Sequence, residues 1–220
     1  MKPDLAVPGQ RVLVTAGAGG IGRAIATTFA DAGAKVHICD VDRNALASLA
    51  AERPDITATY ADVSNLADVD RLFDDVRSRL GGLDVLVNNA GIAGPTGRIE
   101  DIKVEDWERC IAVDLNSLFY CTRLAMPMIK AAGGGSIISL SSAAGRLGFP
   151  LRSPYAAAKW GVVGFTASLA IEAGQDGVRV NCIQPGVVAG DRIDRVAAAK
   201  AEAFGVTTEE MKQRMVEKVS

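Results

Sequence analysis

The sequence is poor in the groups that carry metal, disulfide and polyanion chemistry. Its one histidine, His37, sits inside an apolar run with no second ligand in sequence reach, so a metal site is not expected. Its four cysteines (Cys39, Cys110, Cys121 and Cys182) show neither CxxC nor zinc-ligand spacing. Each has apolar neighbours, which predicts buried free thiols. A formal net charge of −2 gives no electrostatic footprint for nucleic acid or an anionic membrane surface. No apolar run approaches the roughly 20 residues that a membrane span needs. The opening residues MKPDLAVPGQ lack the apolar core of a secretory leader, so a reducing cytoplasm is the expected location.

What is present is apolar and turn-rich. Hydrophobic residues make up 49% of the 220, with 23 glycines, which fits one globular α/β domain over residues 1–220. No linker, repeat or low-complexity tract interrupts it.

Arg11-Val12-Leu13-Val14-Thr15 reads as a strand buried on both faces. Ala16-Gly17-Ala18-Gly19-Gly20-Ile21-Gly22 forms a glycine-dense turn, followed by a helical segment closed by Gly33. Lys35 to Cys39 reads as a second strand, and Asp40 follows it, eighteen positions after Gly22. Strand, glycine turn, helix, strand and carboxylate in that order bind a dinucleotide. Glycines admit the pyrophosphate to the backbone, and the helix N-terminus stabilises its charge. Asp40 can accept from an adenosine ribose and would repel a 2′-phosphate, which favours NAD over NADP. Arg43 within reach of a phosphate keeps NADP as the lesser alternative.

The alternation continues with a helix over 43–53, a strand over 56–60, a helix over 65–80 and a strand over 83–87. Asp62, Val63 and Asn88-Asn89-Ala90-Gly91 fall at strand C-terminal ends, where open α/β sheets bind ligands, although turn and capping roles explain them equally. A loop over 92–103 precedes a long helical stretch, 104–131, with a kink or break expected near Pro127. A further strand covers 179–183, then Gln184-Pro185-Gly186. Such βα repeats imply a parallel sheet with helices on both faces.

The chemistry concentrates between Gly133 and Gly174. Ser142 follows the apolar Ile137 to Leu140, and Tyr155 and Lys159 are four apart at helical spacing, on one face. A free tyrosine ionises near pH 10, but an ammonium roughly 4 Å away stabilises a phenolate by about 4 kcal/mol at an effective dielectric of about 20. Taken alone, the pair also fits a packing tyrosine and a solvated lysine.

Over roughly residues 10–190 the chain resembles the short-chain dehydrogenase/reductase family. The resemblance rests on the turn at 15–22, Asp40, Asp62-Val63, Asn88 to Gly91, Ser142, Tyr155, Lys159 and Pro185-Gly186, in family order and spacing. It implies a single doubly wound parallel sheet of the Rossmann type and hydride transfer between NAD(P) and an alcohol or carbonyl. The dinucleotide would lie against Gly17, Gly20, Ile21, Gly22, Asp40, Val41, Asp62, Val63, Asn89, Ala90, Gly91, Pro185, Gly186 and Val188. Tyr155 would exchange the substrate proton, Ser142 would bind the substrate oxygen, and Lys159 would hold the nicotinamide ribose.

Four departures stand out. Ala16 replaces the first turn glycine, tolerable if its φ stays negative. Asp114 replaces the family's catalytic asparagine, and is expected to hold a water toward Lys159 from about 8 Å or else to point to solvent. Gly190 stands where a threonine commonly meets the nicotinamide end. The helical segment at 194–218 runs to the end of the sequence, so the family's last edge strand is expected to be missing. The expected substrate loops are 92–103, 145–153 and 187–218. Leu147, Phe149, Leu151 and Val187 are candidates for an apolar pocket, and Arg152 is expected to be solvated rather than bound to an anionic substrate.

The leading function is therefore an NAD-linked secondary alcohol dehydrogenase or carbonyl reductase with a small-molecule substrate. It is expected to work as a homo-oligomer, dimer or tetramer. The alternatives are an NADP-linked ketoreductase and a catalytically weak dinucleotide-binding regulator or partner subunit.

Overall fold

The computed structural model describes residues 6–217. Its strands are β1 (Arg11–Thr15), β2 (Lys35–Asp40), β3 (Thr57–Tyr60), β4 (Val85–Asn88), β5 (Gly135–Leu140) and β6 (Val178–Ile183). All pair in parallel, in the order β3-β2-β1-β4-β5-β6. The helices are α1 (Gly20–Asp31), α2 (Arg43–Glu52), α3 (Leu66–Leu80), α4 (Val104–Ile111), α5 (Ser117–Ala131), α6 (Ser153–Ala173), α7 (Asp191–Phe204) and α8 (Thr208–Glu217).

The central strands are apolar at successive positions because both faces are covered. Leu13, Leu86 and Ile137 point to one face and pack with Val69, Leu72, Phe73 and Val76 of α3 and Cys121, Ala125 and Ile129 of α5. Val12, Val14, Val36, Ile38, Val85 and Val87 point to the other, against Ala26 of α1 and Leu49 of α2. Strand alternation thus sends one apolar run into two cores. The chain reverses its direction of winding between β1 and β4, and the C-terminal ends of these neighbours open the crevice where such sheets bind ligands.

Helix ends follow local chemistry. Asp42 accepts from the Asn44 and Ala45 N–H groups to start α2, Asn65 accepts from Asp68 N to start α3, and Gly81 closes α3 at φ 71°.

Two expectations about helices are corrected. The chain does not break at Pro127: α5 continues through it, held on either side by buried Cys121, Thr122, Ala125 and Ile129. The irregularity lies earlier, where Ala112–Asn116 form a π-helical turn between α4 and α5. The segment from 194 onward is two helices, because Gly205 takes a left-handed φ of 64° and ends α7. A satellite core of Val196, Ala197, Ala201, Met211 and Met215 joins α7 to α8. Among the described residues the sheet ends at β6 on that side, as expected. Cys39, Cys110 and Cys121 are buried free thiols, whereas Cys182 on the edge strand is half-buried. No described helix is long and apolar enough to cross a membrane.

Candidate active site

The glycine turn joins β1 to α1. A side chain at Gly17 would meet Ile38 Cγ2 at 2.6 Å, and one at Gly22 would overlap the Ala16 carbonyl oxygen. Nothing lies near the added carbon at Gly19 or Gly20, which leaves an open cradle above the N-terminus of α1. That terminus has no side-chain cap and no acidic residue in its first turn. Unspent N–H groups and the positive helix end fit a pyrophosphate there. Ala16 departs from the condition set on it: its φ is +50°, in the left-handed region. The turn requires this conformation to bring α1 against β1, and alanine adopts it at a cost of about 1–2 kcal/mol.

Asn89 ties the crevice together. Its Nδ2 donates to the carbonyls of Thr15 and Ala16 at 3.0 Å, and its N–H and that of Ala90 donate to Thr15 Oγ1 at 3.0 Å. At the end of β2, the Asp40 carboxylate accepts from the N–H groups of Ala18 (3.1 Å), Val41 (2.8 Å) and Asp42 (3.1 Å). Arg43 turns aside, its Cζ 3.7 Å above the ring of Tyr60. Asp62 opposes burial with hydrogen bonds from Ser64 and an ion pair to Arg109 at 3.0 Å, which together hold its pKa below the usual carboxylate range. Val63 next to it is buried, while Val41 is exposed.

On the other side of the crevice, one cleft is lined by Ile21, Asn89, Ser142, Tyr155, Lys159, Pro185, Gly186 and Val188. The structure therefore brings together residues that are far apart in the chain. Ser142 starts a short 3-10 turn, its Oγ accepting from Ala144 N at 3.2 Å. Tyr155 and Lys159 project from α6, which begins at Ser153 with the helix-compatible Pro154 in its first turn. Lys159 is 3% exposed. Its Nζ donates to the Leu140 carbonyl at 3.1 Å and lies 5.6 Å from the centre of the Tyr155 ring. The solvated alternative for Lys159 is thus excluded.

Asp114 neither points to solvent nor acts from 8 Å. It is 2% exposed, and Oδ1 lies 3.4 Å from Lys159 Nζ while accepting from Ile92 N at 3.0 Å. Its Oδ2 accepts from Cys110 Sγ at 3.3 Å. Burial, then the Asp114 charge, pushes the Cys110 thiol up to about 12. The reason for the direct contact is the π turn, which adds a residue to the helix and carries Asp114 inward. Gly91 completes it, because a side chain there would overlap Asp114 Oδ1.

Arg152 is also corrected: it is 3% exposed, with its Cζ 4.7 Å from the Tyr155 ring. Its Nη2 donates to the carbonyl of Ala93. Phe149 and Val187 line the cleft as expected; Leu147 and Leu151 do not. Leu147 is exposed, and Leu151 holds a left-handed φ of 62°. Arg192 in the first turn of α7 went unrecognised in the sequence. It donates to the carbonyls of Gly91 (3.2 Å) and Ile92 (2.8 Å), with Cζ 5.8 Å from the Tyr155 ring. Arg109 was missed too, since its partners Asp62 and Ser64 lie more than forty positions upstream. No sequence spacing could have flagged either contact.

Known proteins resemble the chain in sequence and fold. The sequence model of short chain dehydrogenases matches residues 10–201. A D-beta-hydroxybutyrate dehydrogenase of Cupriavidus necator is 38% identical over 213 residues, covering 94% of this chain and 82% of that protein. Levodione reductase superposes with a TM-score of 0.83 at 32% identity, covering 87% of this chain and 77% of the other. The actinorhodin polyketide ketoreductase with NADPH superposes at 0.90 with 29% identity, covering 96% and 83%. Those relatives are named as dehydrogenases and reductases, and the two solved structures share the fold of this chain. The chain belongs to the short-chain dehydrogenase family, as an oxidoreductase that moves a hydride between NAD(P) and an alcohol or ketone.

Proposed function

We propose that the protein is an NAD-linked dehydrogenase of secondary alcohols in which Tyr155 exchanges the proton of the substrate oxygen. The observation that carries this reading is the buried Lys159 ammonium beside Tyr155, in the same cleft as Ser142. Ser142 Oγ orients the substrate oxygen, and Tyr155 takes its proton during oxidation or returns it during reduction. Lys159, held by the Leu140 carbonyl, keeps its ammonium beside Tyr155 and would donate to the nicotinamide ribose. When bound, the nicotinamide supplies or accepts the hydride. Gly17, Gly20, Ile21 and Gly22 would cradle the pyrophosphate, and Asp40, Val41, Asp62, Val63, Asn89, Ala90 and Gly91 would hold the adenosine half. Pro185, Gly186 and Val188 would hold the nicotinamide half.

NAD is favoured over NADP because the Asp40 carboxylate at the end of β2 would repel a 2′-phosphate and Arg43 lies over the Tyr60 ring. A homo-oligomer in the cytoplasm is part of the proposal, supported by the exposed apolar Val104, Trp107 and Phe119 along α4 and α5. Light scattering on a sizing column measures that state.

NADH formation across a panel of secondary alcohols, with NAD and NADP in parallel, tests the reading. Tyr155→Phe should lower kcat by roughly 100- to 10,000-fold with cofactor affinity kept. Equal turnover by the variant would remove Tyr155 from the mechanism. A second reading, a dinucleotide binder with weak turnover, draws on the Asp114 carboxylate paired directly to Lys159. Tight NAD binding without turnover of any alcohol would favour it.

A further inference from the structure

The ring of Tyr155 is flanked by three cations: Arg152 at 4.7 Å, Lys159 at 5.6 Å and Arg192 at 5.8 Å. Among the described residues the carboxylate paired with this group is Asp114, and both of its oxygens are spent, on Lys159, Ile92 N and Cys110. Arg152 is the most exceptional of the three. It is 3% exposed, lines the cleft, and its buried Nε has no hydrogen-bond partner. Buried polar groups are ordinarily satisfied, and a guanidinium donor left open is costly. Burial lowers the pKa of Arg152, a direction that an anionic partner would reverse. The backbone also works to place it: Leu151, immediately before it, holds a left-handed φ of 62°. Non-glycine strain of this kind persists where the surroundings impose it, often at ligand sites.

We propose that Arg152 and Arg192 form an anion subsite beside Tyr155, so that the substrate is a hydroxy or oxo carboxylic acid. This rests on the reading of Tyr155 as the proton-exchanging group. A carboxylate suits the opening because Arg192 has already given donors to two carbonyls and Arg152 one to a third. The open Arg152 edge presents Nε beside a terminal nitrogen, the fork that two carboxylate oxygens match. The carboxylate and the carbinol carbon then sit at opposite ends of a short molecule, and a neutral alcohol leaves the arginine unmet.

The test compares kcat/KM for 2-, 3- and 4-hydroxypentanoate with that for their methyl esters, in the wild type, R152M, R152K and R192M. Wild type should favour at least one acid over its ester by roughly 100-fold, and R152M should reduce that ratio roughly 10- to 100-fold. R152K should restore part of it, and R192M should move it in the same direction, which guards against a fold defect in any one variant. Calorimetric titration of 3-oxopentanoate and its methyl ester into the NAD-loaded protein provides the second readout. Preferential binding of the acid without turnover of any alcohol would sustain the subsite while removing the Tyr155 reading. Equal affinity for acid and ester would overturn the subsite. So would a preference for 3-hydroxybutyl phosphate over the acids, or an effect of R152M on NAD affinity in place of the acid-to-ester ratio.

Discussion

Replacing Asp114 by asparagine isolates one charge in the buried site. Asp114 Oδ1 and Lys159 Nζ are 3.4 Å apart, with both side chains withdrawn from water. At an effective dielectric of about 20 their attraction is about 5 kcal/mol before desolvation is subtracted. Lys159 Nζ lies 5.6 Å from the Tyr155 ring centre. Removing the carboxylate leaves the Lys159 charge uncompensated beside Tyr155. Asp114→Asn keeps the shape: the amide oxygen can still accept from Ile92 N and Lys159, and only the Cys110 contact must change. The pH–rate profile for alcohol oxidation should therefore move to lower pH, with faster turnover at pH 7. Cofactor affinity should hold, because the charge lost is already balanced within the pair. Steady-state rates across pH, with NAD affinity followed by NADH fluorescence, measure both. Superimposable profiles for the two proteins would refute the electrostatic role of Asp114 and leave it a packing residue.

Further outcomes follow from other parts of the structure. His37 is buried in β2 between Thr57 (2.7 Å) and Thr59 (3.0 Å), and Thr59 in turn donates to Asp75 at 2.5 Å. A neutral ring with its proton on Nε2 satisfies this chain, and burial lowers the pKa from 6.5 to about 4. The unfolded chain then binds more protons than the folded one between those values. Stability is complete above pH 6.5 and falls as pH drops toward 4, by about 3 kcal/mol in all. In urea titrations at pH 7.5 and 5, His37→Gln should show the smaller acid loss, and equal losses would discount the histidine. Ala16→Gly relieves a left-handed alanine of about 1–2 kcal/mol but adds about 0.4–1 kcal/mol of unfolded-chain entropy. The net should be a small rise in stability, read as a urea midpoint, with NAD affinity equal or tighter. Gly22→Ala drives a methyl into the Ala16 carbonyl and should displace α1, abolishing NAD binding by calorimetry. Asp40→Asn should raise kcat/KM with NADP relative to NAD, and an unchanged ratio would count against Asp40 as the discriminating residue.

Much of the fold was legible because the signals are local. Continuous apolar runs marked the strands, and β1, β2 and the glycine turn fell where expected. The longest helix, α6, was evident from the four-residue interval of Tyr155 and Lys159. Pro127 misled because a single missing donor does not outweigh the buried face on both sides of it. Ala16 was legible as an exception but its φ was not, since backbone sign depends on how α1 docks against β1.

The composition and motif order of this chain determined its class and drew attention to Ser142, Tyr155 and Lys159, because those depend on residue kind and spacing. Only the tertiary structure decided where the Asp114 and Arg152 side chains lie. A charged side chain reads as solvated until its surroundings are known, and here a π turn and a strained Leu151 turn both inward. Once buried, each meets a partner tens of residues away in the chain, Asp114 at Lys159 and Arg152 at the Ala93 carbonyl, in a low dielectric.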